Sequence, residues 1–164
     1  MVLKVPSEAL VDRVGQLIKE NKRLSKELKA AARQSGSDIM AEAKQLLKKC
    51  EKIGETRIIV GRLSTTSVEQ AREAIDMLKK KAKSAAVVLG FEDDGKATLL
   101  AGMTADLIKK GLKAGDIVKA IAPLIDGGGG GRPQMAQAGG KNPKKINDAL
   151  TKAAEIIKEK LTTA

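Results

Sequence analysis

Histidine, tryptophan and tyrosine are absent from this 164-residue sequence, and Phe91 is its one aromatic residue. Without histidine there is no His-based triad, no imidazole metal site and no histidine general base. One cysteine, Cys50, permits neither an internal disulfide nor a multi-cysteine zinc site. Cys50 shares an apolar helical face with Ile39, Ala43, Leu46 and Leu47 and reads as a small core residue. That cysteine usage fits a reducing, cytoplasmic setting. No apolar run reaches the ~18 residues of a spanning helix, and no charged-then-apolar leader opens the chain. Neither a phosphate loop of the form GxxxxGKS/T nor a GxGxxG after a strand occurs. Asp93, Asp94 and Asp126 alone invite a metal reading. The first two fall in an expected turn, and none has a partner cluster. No catalytic residue, metal or cofactor is therefore expected.

What the sequence has is positive charge and glycine. A formal net charge of +11 calls for a polyanionic partner, and with no spanning segment nucleic acid is preferred over a membrane. Five consecutive glycines, Gly127, Gly128, Gly129, Gly130 and Gly131, lead into Arg132, Pro133, Gln134, Met135, Ala136, Gln137, Ala138, Gly139, Gly140 and Lys141. Between Gly127 and Lys145 the cations are Arg132, Lys141, Lys144 and Lys145, with no acid among them. Glycine lets main-chain N–H groups approach a phosphate, so the run is expected to be a loop acting as a backbone nest. Asn142 and Pro143 signal the start of a last helix, whose positive N-terminus carries Lys141, Lys144 and Lys145. With almost no aromatics to stack bases, recognition would rest on phosphates, 2′-hydroxyls and the shape of a folded RNA.

Along the chain, Leu10, Val14, Leu17, Asn21, Leu24, Leu28 and Ala31 alternate spacings of four and three, a heptad seam with Asn21 at an a position. Packing within the chain and self-association both remain open for this seam. Gln34, Ser35, Gly36 and Ser37 are expected to break the helix, and a second helix runs to about Lys52. This gives a helical subdomain over residues 1–54 and a globular α/β subdomain over 55–164. In the latter, strands are expected at 56–63, 85–91 and 96–103. A helix begins at a Thr66/Glu69 capping box, and Glu92-Asp93-Asp94-Gly95 makes the second and third strands a hairpin. Short helices follow Thr104 and Ala114, Pro123 ends or kinks the latter, and 134–138 adds a strand. The fold class is α/β (α+β): a helical arm or hairpin, then a mixed β-sheet packed with helices.

The path from 57–63 through AVVLGFEDDGKATLLAGMTADLIKKGLKAGDIVKAIAP to GGGGGRPQMAQAGG closely resembles the C-terminal domain of bacterial alanyl-tRNA synthetase. Related glycine-rich modules occur in DHH-type phosphoesterases. The resemblance implies a non-catalytic domain that binds the tRNA elbow, where the D and T loops meet. It implies coupling of the aminoacylation and editing domains of the same synthetase, an alanine–tRNA ligase, on one tRNA. It also implies a homodimer, through the helical or the globular part. The motif positions carried over are Gly127–Gly131, Arg132, Pro133, Gln134, Gln137, Gly139 and Gly140. Gln134 stands where that family often has an acid, which removes a negative charge there. The alternatives are the nucleic-acid-binding module of a DHH-type phosphoesterase, which would need a metal domain upstream, and a coiled-coil oligomerisation module.

Overall fold

The computed structural model describes residues 7–65 and 67–163, the side chains at 7–12, 26 and 28–35 excepted. Thr66 and the side chains of Leu10, Leu28 and Ala31, all used in the sequence reading, lie outside the described residues. By contacts the chain divides into two compact units, 1–37 and 38–164.

The first unit is helical. Helix α1 runs as one element from Ser7 to Lys49, so the expected interruption at Gln34–Ser37 does not occur. A glycine inside a helix costs only about 1 kcal/mol, and serine and glutamine less. In this unit Val14, Leu17, Ile18 and Leu24 are about half exposed, and Arg23 and Glu27 pair at 3.2 Å one turn apart.

The second unit is a six-stranded mixed sheet in the order β1-β2-β3-β4-β6-β5. The strands are β1 (Glu51–Ile53), β2 (Thr56–Arg62), β3 (Ala85–Asp93), β4 (Lys96–Met103), β5 (Gly127–Arg132) and β6 (Met135–Gly140). Strand β1 was not anticipated; the second helix was carried through it to Lys52. Three residues give too short an alternation to read, and β1 forms only because it pairs antiparallel with β2 across a two-residue turn. Strands β2 and β3 are parallel and joined by α2 (Val68–Ala82), whose apolar face buries Ala71, Ala74, Ile75 and Leu78. The cap of α2 is Ser67, whose hydroxyl accepts from Gln70 N–H at 3.4 Å. Strands β3 and β4 make the expected hairpin. Asp94 (φ 48) and Gly95 (φ 71) both lie in the left-handed region that a twisted two-residue hairpin turn requires.

Two cores sit on the two faces. On one, α4 (Ala114–Ile121), the 3-10 turn Ala122–Ile125 with Pro123 as its second residue, and α5 (Ile146–Thr163) cover Ile58, Val88, Leu99, Ala136 and Ala138. On the other, α2 and Ile39 and Ala43 of α1 cover Ile59, Val87, Leu89, Phe91 and Leu100. Phe91 is fully buried there, so no ring is available to stack on a base. Cys50 is half-buried against the same cluster. Short helix α3 (Ala105–Lys109) follows β4. Thr104 starts it without a side-chain cap. Its hydroxyl accepts from Ala85 N–H at 3.1 Å instead and ties α3 to β3.

Candidate nucleic-acid interface

The five glycines are a strand rather than a loop. β5 forms the outer edge of the sheet and pairs antiparallel with β6 from Gly127 opposite Gly140 to Arg132 opposite Met135. β6 reaches through the second glycine pair to Gly140 instead of stopping at 138. It is fixed by Ala136 and Ala138, which bury into the α4/α5 core. The expected nest needs alternating left-handed residues. Only Gly131 of the five has a positive φ, at 154°. The glycines serve close approach instead. A Cβ on Gly127 would fall on the carbonyl oxygen of Gly139, and one on Gly131 would lie 2.6 Å from Ala136 Cα. Gly128 and Gly139 are different. They face each other across the hairpin, both are exposed, and a Cβ on either would meet nothing within 4 Å. The result is a solvent-facing patch of bare main chain beside an edge with no strand neighbour.

The hairpin separates the predicted cations. Arg132 and Gln134 lie at its turn, which is anchored by Ala114 N–H donating to Pro133 O (2.9 Å) and Met103 N–H to Gln134 O (3.0 Å). Gly127, Gly140 and Lys141 lie at the other end, about 17 Å away for a six-residue strand. There Gly127, Gly139, Gly140 and Lys141 come together around an open depression of about 410 Å3 with Lys96, Thr98, Asp93 and Asp126. Asp126 adjoins Gly127, whereas Asp93 and Lys96 come from the β3–β4 turn. From sequence the two aspartates were weighed only as metal candidates, and neither they nor Lys96 were placed beside the glycines. Gln137 is already engaged: its Oε1 accepts from Arg72 Nη2 of α2 at 3.1 Å. Arg72 was also missed, since only the fold brings α2 beside β6.

The last helix starts differently from expectation. Asn142 precedes a 3-10 turn, Pro143–Lys145, without capping it. Its side-chain amide donates to Asp126 Oδ2 at 3.1 Å. Lys144 is exposed. Lys145 pairs with Asp148 at 2.9 Å; that hydrogen bond and the carboxylate charge raise its pKa above the ordinary lysine value. Lys145 is thus partly neutralised, whereas Arg132, Lys141 and Lys144 have no ion pair among the described residues.

Residues 55–159, from the start of β2 to near the end of α5, match the DHHA1 domain. The chain belongs to the DHHA1 domain family. Among curated relatives, the alanine–tRNA ligase of Bacillus pumilus is 45% identical over 121 residues, covering 74% of this chain and 14% of that protein. The alanine–tRNA ligase of Cupriavidus necator is 41% identical over 165 residues, covering 98% and 18%. The chain therefore spans less than a fifth of the length of these relatives. Among solved structures, the C-Ala domain from Aquifex aeolicus alanyl-tRNA synthetase superposes with a TM-score of 0.59 at 28% identity. The match covers 65% of this chain and 96% of that one. No described helix is long and apolar enough to cross a membrane.

Proposed function

We propose that this chain is the C-terminal domain of an alanine–tRNA ligase, a cytoplasmic enzyme, and that it binds tRNA and performs no chemistry itself. The observation that carries the reading is the bare Gly128–Gly139 patch on an edge strand, bracketed by the unpaired cations Arg132 and Lys141. Exposed main chain with no side chain in front of it, at the edge of the sheet, suits close contact with a sugar-phosphate backbone. Likeness to the C-Ala domain and a net charge of +11 support the same partner. The ligand is the elbow of folded tRNA, read by shape because no exposed ring exists to read bases. Residues 55–164, where the family match begins, carry this surface. Residues 1–54 link it to the aminoacylation and editing domains and, through Val14, Leu17 and Leu24, to a second copy. Holding one tRNA for both active sites raises its effective concentration at each.

Filter binding of a tRNA at two salt concentrations tests the reading. Affinity should fall steeply with salt, and replacing Arg132 and Lys141 by Ala should weaken binding about tenfold. Unchanged affinity in the double variant would remove the hairpin from the site.

A further inference from the structure

We infer that the RNA contact does not end at the hairpin but continues from Arg132 across the α2 side of the sheet, along a strip formed by Lys52, Arg57, Lys80, Lys81 and Lys83. The inference rests on the RNA-binding reading above. Sheet register puts these residues together although 80 positions separate Lys52 from Arg132. Lys52 pairs with Arg57 across β1–β2, and Arg57 pairs with Ala85 across β2–β3. Ala85 lies in the α2-side core, which places Arg57 and Lys52 on that face. At the other edge Met135 packs on the same core, and Arg132 is its cross-strand partner. Between them α2 ends over β4. A Cβ on Gly102 would touch Ile75 and lie 3.5 Å from Lys79 Cδ, so the last turn, with exposed Lys80 and Lys81, bridges the two edges. From β1 to β5 the strip crosses six strands, about 24 Å at the ordinary strand spacing. That is the length of about seven phosphates of one strand.

Charge along the strip is free. Lys52, Arg57, Lys80, Lys81, Lys83 and Arg132 make no ion pair among the described residues. Acids near the strip include Asp76, which pairs with Lys79 at 3.7 Å, Asp106, which is bound by Ser84, Glu55 in the β1–β2 turn, and Asp116 in the first turn of α4, which packs against the hairpin turn. The opposite end of the sheet is unlike this. Arg62 is paired with Glu92 there, and Asp93 and Asp126 face Lys96 and Lys141.

A second observation singles out Lys83. Its φ is 61° and ψ −55°, and Ser84 N–H donates to Ala82 O at 2.7 Å. This is a γ-turn of the rare, strained hand, which glycine would adopt more easily. Its neighbour Ser84 is clamped by Asp106 (2.5 Å), by Thr56 (3.2 Å) and through its carbonyl by Arg57 N–H (3.0 Å). The surroundings therefore hold a lysine where backbone geometry favours glycine, the kind of strain that accompanies a functional side chain.

The experiment compares the full chain with two triple variants, K80Q/K81Q/K83G and a control K109Q/K110Q/K160Q that removes equal charge from the C-terminal end of α3 and from α5. Binding of an alanine tRNA transcript is measured at several salt concentrations, alongside melting temperature. The strip variant should bind at least tenfold more weakly, with the salt slope reduced by about two to three, and the control should stay within about twofold. Lys83→Gly alone should melt no lower than the parent yet bind less tightly. If the strip variant binds like the parent, or the control loses as much, the strip is wrong while the hairpin reading stands. If the unaltered chain shows no salt-dependent tRNA binding, the hairpin reading fails and the strip with it.

Discussion

Single positions on the glycine hairpin separate architecture from contact. Gly127 has no room for a methyl group because the Gly139 carbonyl occupies it. Gly127→Ala should therefore cost about 2 kcal/mol or more, readable in a denaturant titration. Gly128 has open space, so Gly128→Ala should leave stability within about 0.5 kcal/mol. Its new methyl group would nonetheless stand over the bare main chain of the patch and should lower tRNA affinity. Asp106 gives a pH-dependent counterpart. Partial burial pushes its pKa up, but hydrogen bonds from Ser84, Thr104 and the N–H groups of Asp106 and Leu107 outweigh this and hold it below 3.8. A depressed folded-state value contributes stability above pH 3.8 that disappears as pH falls through the folded value. Ser84→Ala should flatten the acid limb of a plot of melting temperature between about pH 5 and pH 2. An acid limb identical to the parent's would remove Ser84 as the cause.

Among the elements, legibility in the sequence tracked how much of each was decided locally. Strands β2, β3 and β4 are runs of aliphatic residues bounded by turn chemistry, and Asp94-Gly95 set the hairpin by itself. The stop at Pro123 was equally local. Where tertiary contact decided, the reading went astray. β1 exists only beside β2, the glycines become a strand only against β6, and α1 continues through residues that propensity alone would end. Half of the candidate site was similarly visible. The motif residues stood in one stretch, but Arg72, Lys96 and the strip at Lys83 depend on register between distant strands. One consequence concerns fragments. Because Ile39 and Ala43 complete the α2-side core and Ile53 of β1 packs on the opposite one, a chain starting at Asp38 should melt cooperatively. A chain starting at Glu55 should lose at least about 3 kcal/mol, since it uncovers two to three aliphatic side chains' worth of core. A second consequence concerns α1, where replacing Leu17 and Leu24 by Lys should lower the sedimenting mass if the exposed seam pairs copies. An unchanged dimer would assign pairing elsewhere.

At the scale of the whole molecule, charge is unevenly spent. The ion pairs Arg62–Glu92, Lys145–Asp148 and Lys158–Glu51 absorb cations at one end of the sheet and along α5. The α2 C-terminal end and the hairpin turn keep theirs. Surface pairs of this kind add at most about 1 kcal/mol each to stability, so their larger effect is on where the positive field remains. A partner drawn by that field should bind with a logarithmic salt dependence whose slope counts its phosphate contacts at about 0.9 each. Isothermal titration across a salt series would read that number directly.

The β5–β6 hairpin should also invert the usual tolerance of an exposed strand to mutation. On most surfaces small changes such as the addition of one methyl group pass unnoticed and reversal of a charge is felt. At Gly127, Gly129, Gly131 and Gly140 the smallest possible addition collides with neighbouring atoms. By contrast, Arg132 stands free at the turn with room for many side chains. A saturation library scored first for folding and then for RNA capture should split along that line. Folding would be lost at the glycines whatever replaces them, and capture lost at the arginine only when its charge goes.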